Sequence, residues 1–365
     1  MSLAVGPEPE ILSRKGYAIK DLARSFTTSL GETGAVASGK LLHYTADLLA
    51  SGGLDLWMTL CWDYAFEHIG IASPRIFVYL KKKFAEILER NKTLPFATFT
   101  TSPTVQQATV EVALVLQGCP KKLRTKVPSV PQETHENEAW FASVARSSEK
   151  AAARNAWNRS HDLDPLLVVG NEMMTAVQDG ALEKALFWLK WLQEEDALLK
   201  KRHGSGLSTM ERGPAFLNPK QRTSVSFYVC AVLAEAYKDL AAKGLMRMHE
   251  EFQTLLDLYR SNDKRVSATR RQDALILMIQ LLTEVPRWKV PAAPSLVRDP
   301  VVLGRAVAQA ETFYREVLAL PLPSKALPSR VTGLAKKKIV VTTKIESLEH
   351  QLNAVDEAIM NFYNH

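Results

Sequence analysis

S-P-T-V-Q-Q-A-T-V-E-V-A-L-V-L-Q-G, residues Ser102–Gly118, is the stretch that decides the fold class. Serine can cap a helix. Proline at the first helical position loses nothing, because first-turn N–H groups have no acceptor inside the helix. Glycine marks the stop. The spacing therefore predicts a helix over Thr104–Gln117. The same start device recurs at Ser73-Pro74 before Arg75–Arg90, at Asp164-Pro165 before Leu166–Gln178, and at Asp299-Pro300 before Val301–Leu318. Matching starts at four places in one chain point to a helical protein.

Between these starts, apolar residues recur with helical period. Trp57, Leu60, Cys61 and Tyr64 line Leu54–Ile69. Leu182, Leu186, Leu189, Leu192 and Leu199 line Leu182–Leu199, and Trp188 and Trp191 broaden the stripe. Phe227, Cys230, Ala231, Ala234 and Tyr237 line a helix that closes at Gly244. Met248, Phe252, Leu255, Leu256 and Tyr259 line the next, and Leu275, Met278, Ile279 and Leu282 one that stops before Pro286. Strand chemistry is confined to K-I-V-V-T-T at 338–343, ahead of a last helix over Ile345–Tyr363. The reading is an all-α protein: a multi-helix bundle or irregular helical-hairpin array, with at most one short β element near 338–343.

The chain has 365 residues, 46% hydrophobic and 23% charged, enough to build a core without disulfides or a structural metal. Pro- and Gly-containing stretches at 118–133, 202–222 and 320–334 suggest four parts. These are an N-terminal helical domain (1–118), a basic linker with a short helix (119–163), a central helical domain (164–320) and a C-terminal extension (321–365). Cys61, Cys119 and Cys230 are odd in number and far apart, which reads as buried free thiols in a reducing compartment. The first residues lack a secretory pattern, and the most apolar windows, Val110–Leu116 and Ala274–Leu282, are short of the ~18 residues of a membrane span. The expectation is an intracellular protein, cytoplasmic or nuclear, with no membrane association.

Motifs of catalysis are incomplete. Gly34-Ala-Val-Ala-Ser-Gly39-Lys40 fits the spacing of a phosphate-binding loop, but Leu41 stands where a hydroxyl should meet Mg²⁺ and no buried strand precedes it. A helix-connecting turn is expected there. His135-Glu136-Asn137-Glu138 lacks the second histidine of a zinc helix. Glu194, Glu195 and Asp196 precede Lys200, Lys201 and Arg202 in the order of a solvated helix with ion pairs four residues apart. No catalytic, cofactor or metal site is predicted.

The net charge of +7 is local: 8 basic against 5 acidic residues in 121–163, and 15 against 10 in 261–365. The candidate contacts for a polyanion are Lys121, Lys122, Arg124 and Lys126; Lys200, Lys201 and Arg202; Lys264, Arg265, Arg270 and Arg271; and Lys336, Lys337 and Lys338. Trp140, Trp157 and Trp288 lie near basic residues and could stack on bases, with Trp140 and Trp157 assigned to the core.

Tyr44–Trp57 (Y-T-A-D-L-L-A-S-G-G-L-D-L-W) running into His68–Leu80, and Ala185–Asp196 (A-L-F-W-L-K-W-L-Q-E-E-D) followed by Lys200–Arg202, resemble a family of uncharacterised helical proteins of large DNA viruses of algae and protists. The resemblance covers a third to a half of the chain, in pieces. It implies an intracellular, virus-encoded protein acting in a host cell, and it supplies no activity and no site residues. The function expected is a non-enzymatic helical scaffold or adaptor that binds a protein partner in viral replication, transcription or assembly. The alternative is a nucleic-acid-associated accessory factor using the basic loops. Neither reading calls for a cofactor, and the oligomeric state stays open.

Overall fold

The computed structural model describes residues 11–147, 153–246, 249–284, 296–297 and 299–331. They are all-α; the only β features among them are two isolated bridges, Leu12 with Ala18 and Asp162 with Ser208. The chain forms two compact units, residues 1–121 with 294–365, and residues 122–293.

The first unit opens with α1 (Ile19–Gly31), α2 (Ala35–Ala50) and α3 (Leu54–Tyr64). A π-helical turn (Ala65–Ile69) and a 3-10 turn (Gly70–Ala72) lead into α4 (Arg75–Thr93), α5 (Phe96–Thr101) and α6 (Pro103–Gly118). α2 lies at its centre, with Leu41, Leu42, Ala46, Leu48 and Leu49 all buried. Trp57, Trp62, Phe77 and Phe84 form an aromatic cluster; Trp62 meets Phe84 edge-on at 5.3 Å between ring centres. Such rings contribute more than their buried area because quadrupoles favour this geometry.

The second unit contains α7 (Glu133–Glu136), α8 (Glu138–Ser147), α9 (Asp164–Gln178), α10 (Leu182–His203), α11 (Pro219–Arg222), α12 (Val225–Ala242), α13 (His249–Arg260) and α14 (Ala268–Glu284). α9, α10, α12 and α14 pack on one another. Gly170 makes one crossing possible. A Cβ there would fall 2.1 Å from the Tyr228 hydroxyl, which instead donates to the Leu166 carbonyl at 2.6 Å. α10 and α14 are antiparallel: Gly180, just before α10, lies against the Thr283 carbonyl, while Gln193 bonds Gln272 at 3.0 Å.

The chain then returns to the first unit as α15 (Pro300–Ala308) and α16 (Ala310–Leu318). Asp299 caps α15, accepting from the amides of Val301 and Val302 at 3.0 Å each. α15 packs on α6, and α16 on α2 and α6, where the Tyr314 hydroxyl meets Thr109 Oγ1 at 2.6 Å.

This grouping departs from the division expected from linkers. Residues 299–320 do not join the central domain, because their apolar faces fit α2 and α6. Residues from 122 onward do not stand apart as a linker. Ala153 N donates to buried Asn171 at 2.8 Å, and the aromatic residues of α8 stack on α10. Val301–Leu318 is two helices, parting at Gln309, and Leu54–Ile69 ends in the π turn. The run at 338–343, the last helix, Met248 and Trp288 lie outside the described residues. Among the described residues no helix is long and apolar enough to cross a membrane. All three cysteines are free and buried.

Candidate functional site

The basic residues singled out in sequence separate once placed. Lys121 belongs to the first unit and donates to the Gln117 carbonyl at 2.6 Å, satisfying the end of α6. Lys336, Lys337 and Lys338 lie outside the described residues. The other three groups gather in the second unit. Arg124 and Arg270 share Asp273, whose side chain is 3% exposed; the Arg270 pair measures 3.0 Å. Arg265 pairs with Asp263 at 2.8 Å, and Arg271 Nη2 donates to the Asp263 carbonyl at 3.3 Å. Because α10 runs antiparallel to α14, Lys200, Lys201 and Arg202 at the end of α10 sit at the same end of the unit as Lys264–Arg271. Lys200 pairs with Asp196 at 2.5 Å. Lys122, Lys126, Lys201, Arg202 and Lys264 are exposed. The end of the unit is therefore cationic, but Arg124, Lys200, Arg265 and Arg270 are already spent on carboxylates.

The segment that carries Arg124 has a distinct form. From Lys122 to Val130 it has no helix or strand, and no backbone group there bonds another backbone group among the described residues. Two side chains lay it along α14: Arg124 on Asp273, and Thr125, which accepts from Gln280 at 2.6 Å. Leu123, between them and Lys122, is 88% exposed.

α7 and α8 continue this segment over α10. Trp140 stacks on Trp188 at 5.8 Å; Phe141 and His135 stack on Trp191 at 5.1 and 5.3 Å. His135 Nδ1 lies 2.7 Å from Glu195, and Nε2 lies 3.5 Å from Glu194, which also pairs with Lys190. The acidic run at 194–196 is thus only partly a solvated face: Glu194 and Glu195 hold a histidine, and buried Asp196 accepts from Leu207 N at 2.9 Å. Trp140 and Trp157 are half-buried and not in the core.

Most of Gly34–Lys40 is helix and not a connecting turn. Gly34 precedes α2 with φ of 101°, and Ala35–Lys40 are its first turns. Ser38 donates to Gln117 at 2.7 Å, tying α2 to α6. A cavity of about 300 Å³ opens beside it, lined mainly by Leu114, Val115, Leu296, Val297, Val302 and Leu303.

Two polar knots escaped sequence reading. In the first unit, buried Asp47 accepts from Ser13 at 2.5 Å, Ser51 at 3.1 Å and Lys15 N at 3.3 Å. Burial raises its pKa, and those donors pull it back down. Arg14 next to it reaches the carbonyls of Leu318 at 3.0 Å and Leu320 at 2.9 Å. His43 lies 3.4 Å from the Tyr17 hydroxyl; burial, then nearby Lys15, hold its pKa down at about 4, with Glu316 opposing. Burial, with the nearby Tyr44 and Asp47, pushes Tyr17 up to about 12. In the second unit, buried Asp162 pairs with Arg212 and accepts from Ser208 at 2.6 Å and from Asn158 N at 2.7 Å. Arg212 also lies over the Tyr228 ring at 5.1 Å.

Both knots bind elements together. Serine and histidine sit near Asp47: Ser13, which is buried, donates to the carboxylate, and His43 lies against the Tyr17 hydroxyl. Among the described residues no three His, Cys, Asp or Glu side chains are placed to hold a metal ion. No known protein family, characterised protein or solved structure matches this chain.

Proposed function

We propose that the chain is a non-enzymatic helical interaction protein, a scaffold or adaptor in the virus-encoded, intracellular setting that the resemblance implies. Residues 122–130 are its docking element. One observation carries this reading: a segment with unpaired backbone groups is laid along α14 and presents Leu123 to solvent between cations. Extended peptides of this kind are recognised through main-chain hydrogen bonds, with side-chain pockets giving specificity. An exposed leucine beside Lys122 and Lys126 suits a partner groove with an apolar pocket and acidic walls.

Leu123→Asp and the pair Lys122→Glu with Lys126→Glu change exposed side chains, so melting should stay within the ±0.5 kcal/mol usual for surface changes. In cells, cross-linking followed by capture should recover protein partners with the parent chain and lose them with these variants. Equal recovery would refute the docking role.

A second reading, a nucleic-acid-associated factor, is favoured by the gathering of Lys201, Arg202, Lys264 and Arg271 at one end of the second unit. Its test is retention on duplex DNA at low salt, falling linearly with log salt. The internal pairing of Arg124, Lys200, Arg265 and Arg270 weighs against it.

A further inference from the structure

Lys264-Arg265-Val266-Ser267-Ala268 sets two cations three and two positions ahead of a hydroxyl. That is the pattern read by basophilic protein kinases, whose substrate clefts pair carboxylates with basic residues at those offsets. We propose that Ser267 is a phosphorylation site for such a kinase.

The structure gives this motif a setting that an isolated match lacks. It forms the turn between α13 and α14, with Lys264 and Ala268 exposed and Ser267 half-buried. Ser267 Oγ accepts from Arg270 N at 3.2 Å, so the hydroxyl itself caps α14. The first turn of this 17-residue helix carries no acidic residue. Arg270 and Arg271 stand there instead, at the positive end of the helix dipole, where cations are unfavourable. Asp273 answers Arg270. Arg271 donates to the Asp263 carbonyl at 3.3 Å, and among the described residues its Nε is buried without an acceptor. The local charge lacks an anion at the residue the motif marks.

In the reaction Ser267 Oγ attacks the γ-phosphorus of ATP. The Oγ–P bond forms, the bond from that phosphorus to the bridging oxygen breaks, ADP leaves, and the hydroxyl proton passes to the kinase's catalytic carboxylate. The product carries about −1.5 to −2 charge. It meets the first-turn N–H groups and the two arginines, which strengthens the start of α14. Val266 is 1% exposed and Arg265 is held by Asp263 at 2.8 Å, so the turn opens and that pair parts before the kinase can read it, and modification is slower than on a free peptide.

The test incubates the full chain with ATP and a basophilic kinase, alongside a peptide of residues 261–271, and maps phosphate by mass spectrometry. Phosphate is expected at Ser267 in both. It should be lost in Ser267→Ala and retained in Ser267→Thr. In Lys264→Ala it should fall about tenfold, the worth of one charge-assisted contact. Amide exchange at the start of α14 should slow on phosphorylation, and less so in Arg271→Gln. No phosphate at Ser267 in the native chain, whether or not the peptide is modified, would overturn the proposal. So would phosphate at Ser267 that leaves α14 exchange unchanged.

Discussion

His43 and Asp47 lie within one knot and respond to acid in opposite senses. His43 in the folded chain titrates at about 4, below the ordinary 6.5 of the unfolded chain. Above pH 6.5 both states are neutral and its contribution is fully present. Between pH 6.5 and 4 the unfolded chain takes up a proton that the folded chain refuses, so stability falls as pH falls, by roughly 2–3 kcal/mol in all. Asp47 is raised, so its cost at neutral pH is relieved on acidification. Urea midpoints at pH 7 and 4.5 should therefore drop less in His43→Gln than in the parent chain; an unchanged drop would show that this ring is not the source. Asp273 offers a second residue-scale check. Removing it as Asp273→Ala takes the shared carboxylate from Arg124 and from the largely buried Arg270 and should cost about 3 kcal/mol. Arg124→Ala leaves Arg270 in place and should cost about 1 kcal/mol. Denaturant unfolding of both variants distinguishes a shared carboxylate from two independent pairs.

Helix starts were legible because their signals are local. Asp299-Pro300 reads as a cap and the carboxylate does accept from two first-turn amides. The π turn after Tyr64 and the parting at Gln309 carry no glycine or proline to announce them; packing sets both. α7 and α8 are the clearest case of an element held by its neighbour. At 4 and 10 residues they are below the ~12–15 residues a helix needs to persist alone. Their hold on α10 is the stack of Trp140, Phe141 and His135 on Trp188 and Trp191. Phe141→Ala should raise amide exchange across 133–147 while shifting global melting little, since the ring pair is worth about 0.5–1.5 kcal/mol beyond its area. A large loss of global stability would mean that α8 belongs to the core. His135 was dismissed in sequence for want of a second histidine four residues on. Its partners stand 59 and 60 positions away, a separation no short motif reports.

At the level of the molecule, the first unit is completed by residues that follow the whole of the second. A chain ending at 293 loses the Tyr314–Thr109 bond, the carbonyls that receive Arg14 and the apolar faces laid on α2 and α6. Amide protection in α1, α2 and α6 should fall accordingly, and retained protection would contradict the discontinuous unit. The chain's own order of residues determined the all-α class, the places where most helices begin and end, and the burial of the thiols. Those follow from capping, period and hydrophobicity, which act over a few residues. Only the tertiary structure decided which helices share a unit, which cations are free and which carboxylates form knots. Lys201 and Lys200 are adjacent, chemically alike and both exposed, yet Lys200 is bound to Asp196 and Lys201, among the described residues, to no carboxylate. The difference is the direction each side chain takes from a packed helix, and that direction is fixed by neighbours distant in sequence.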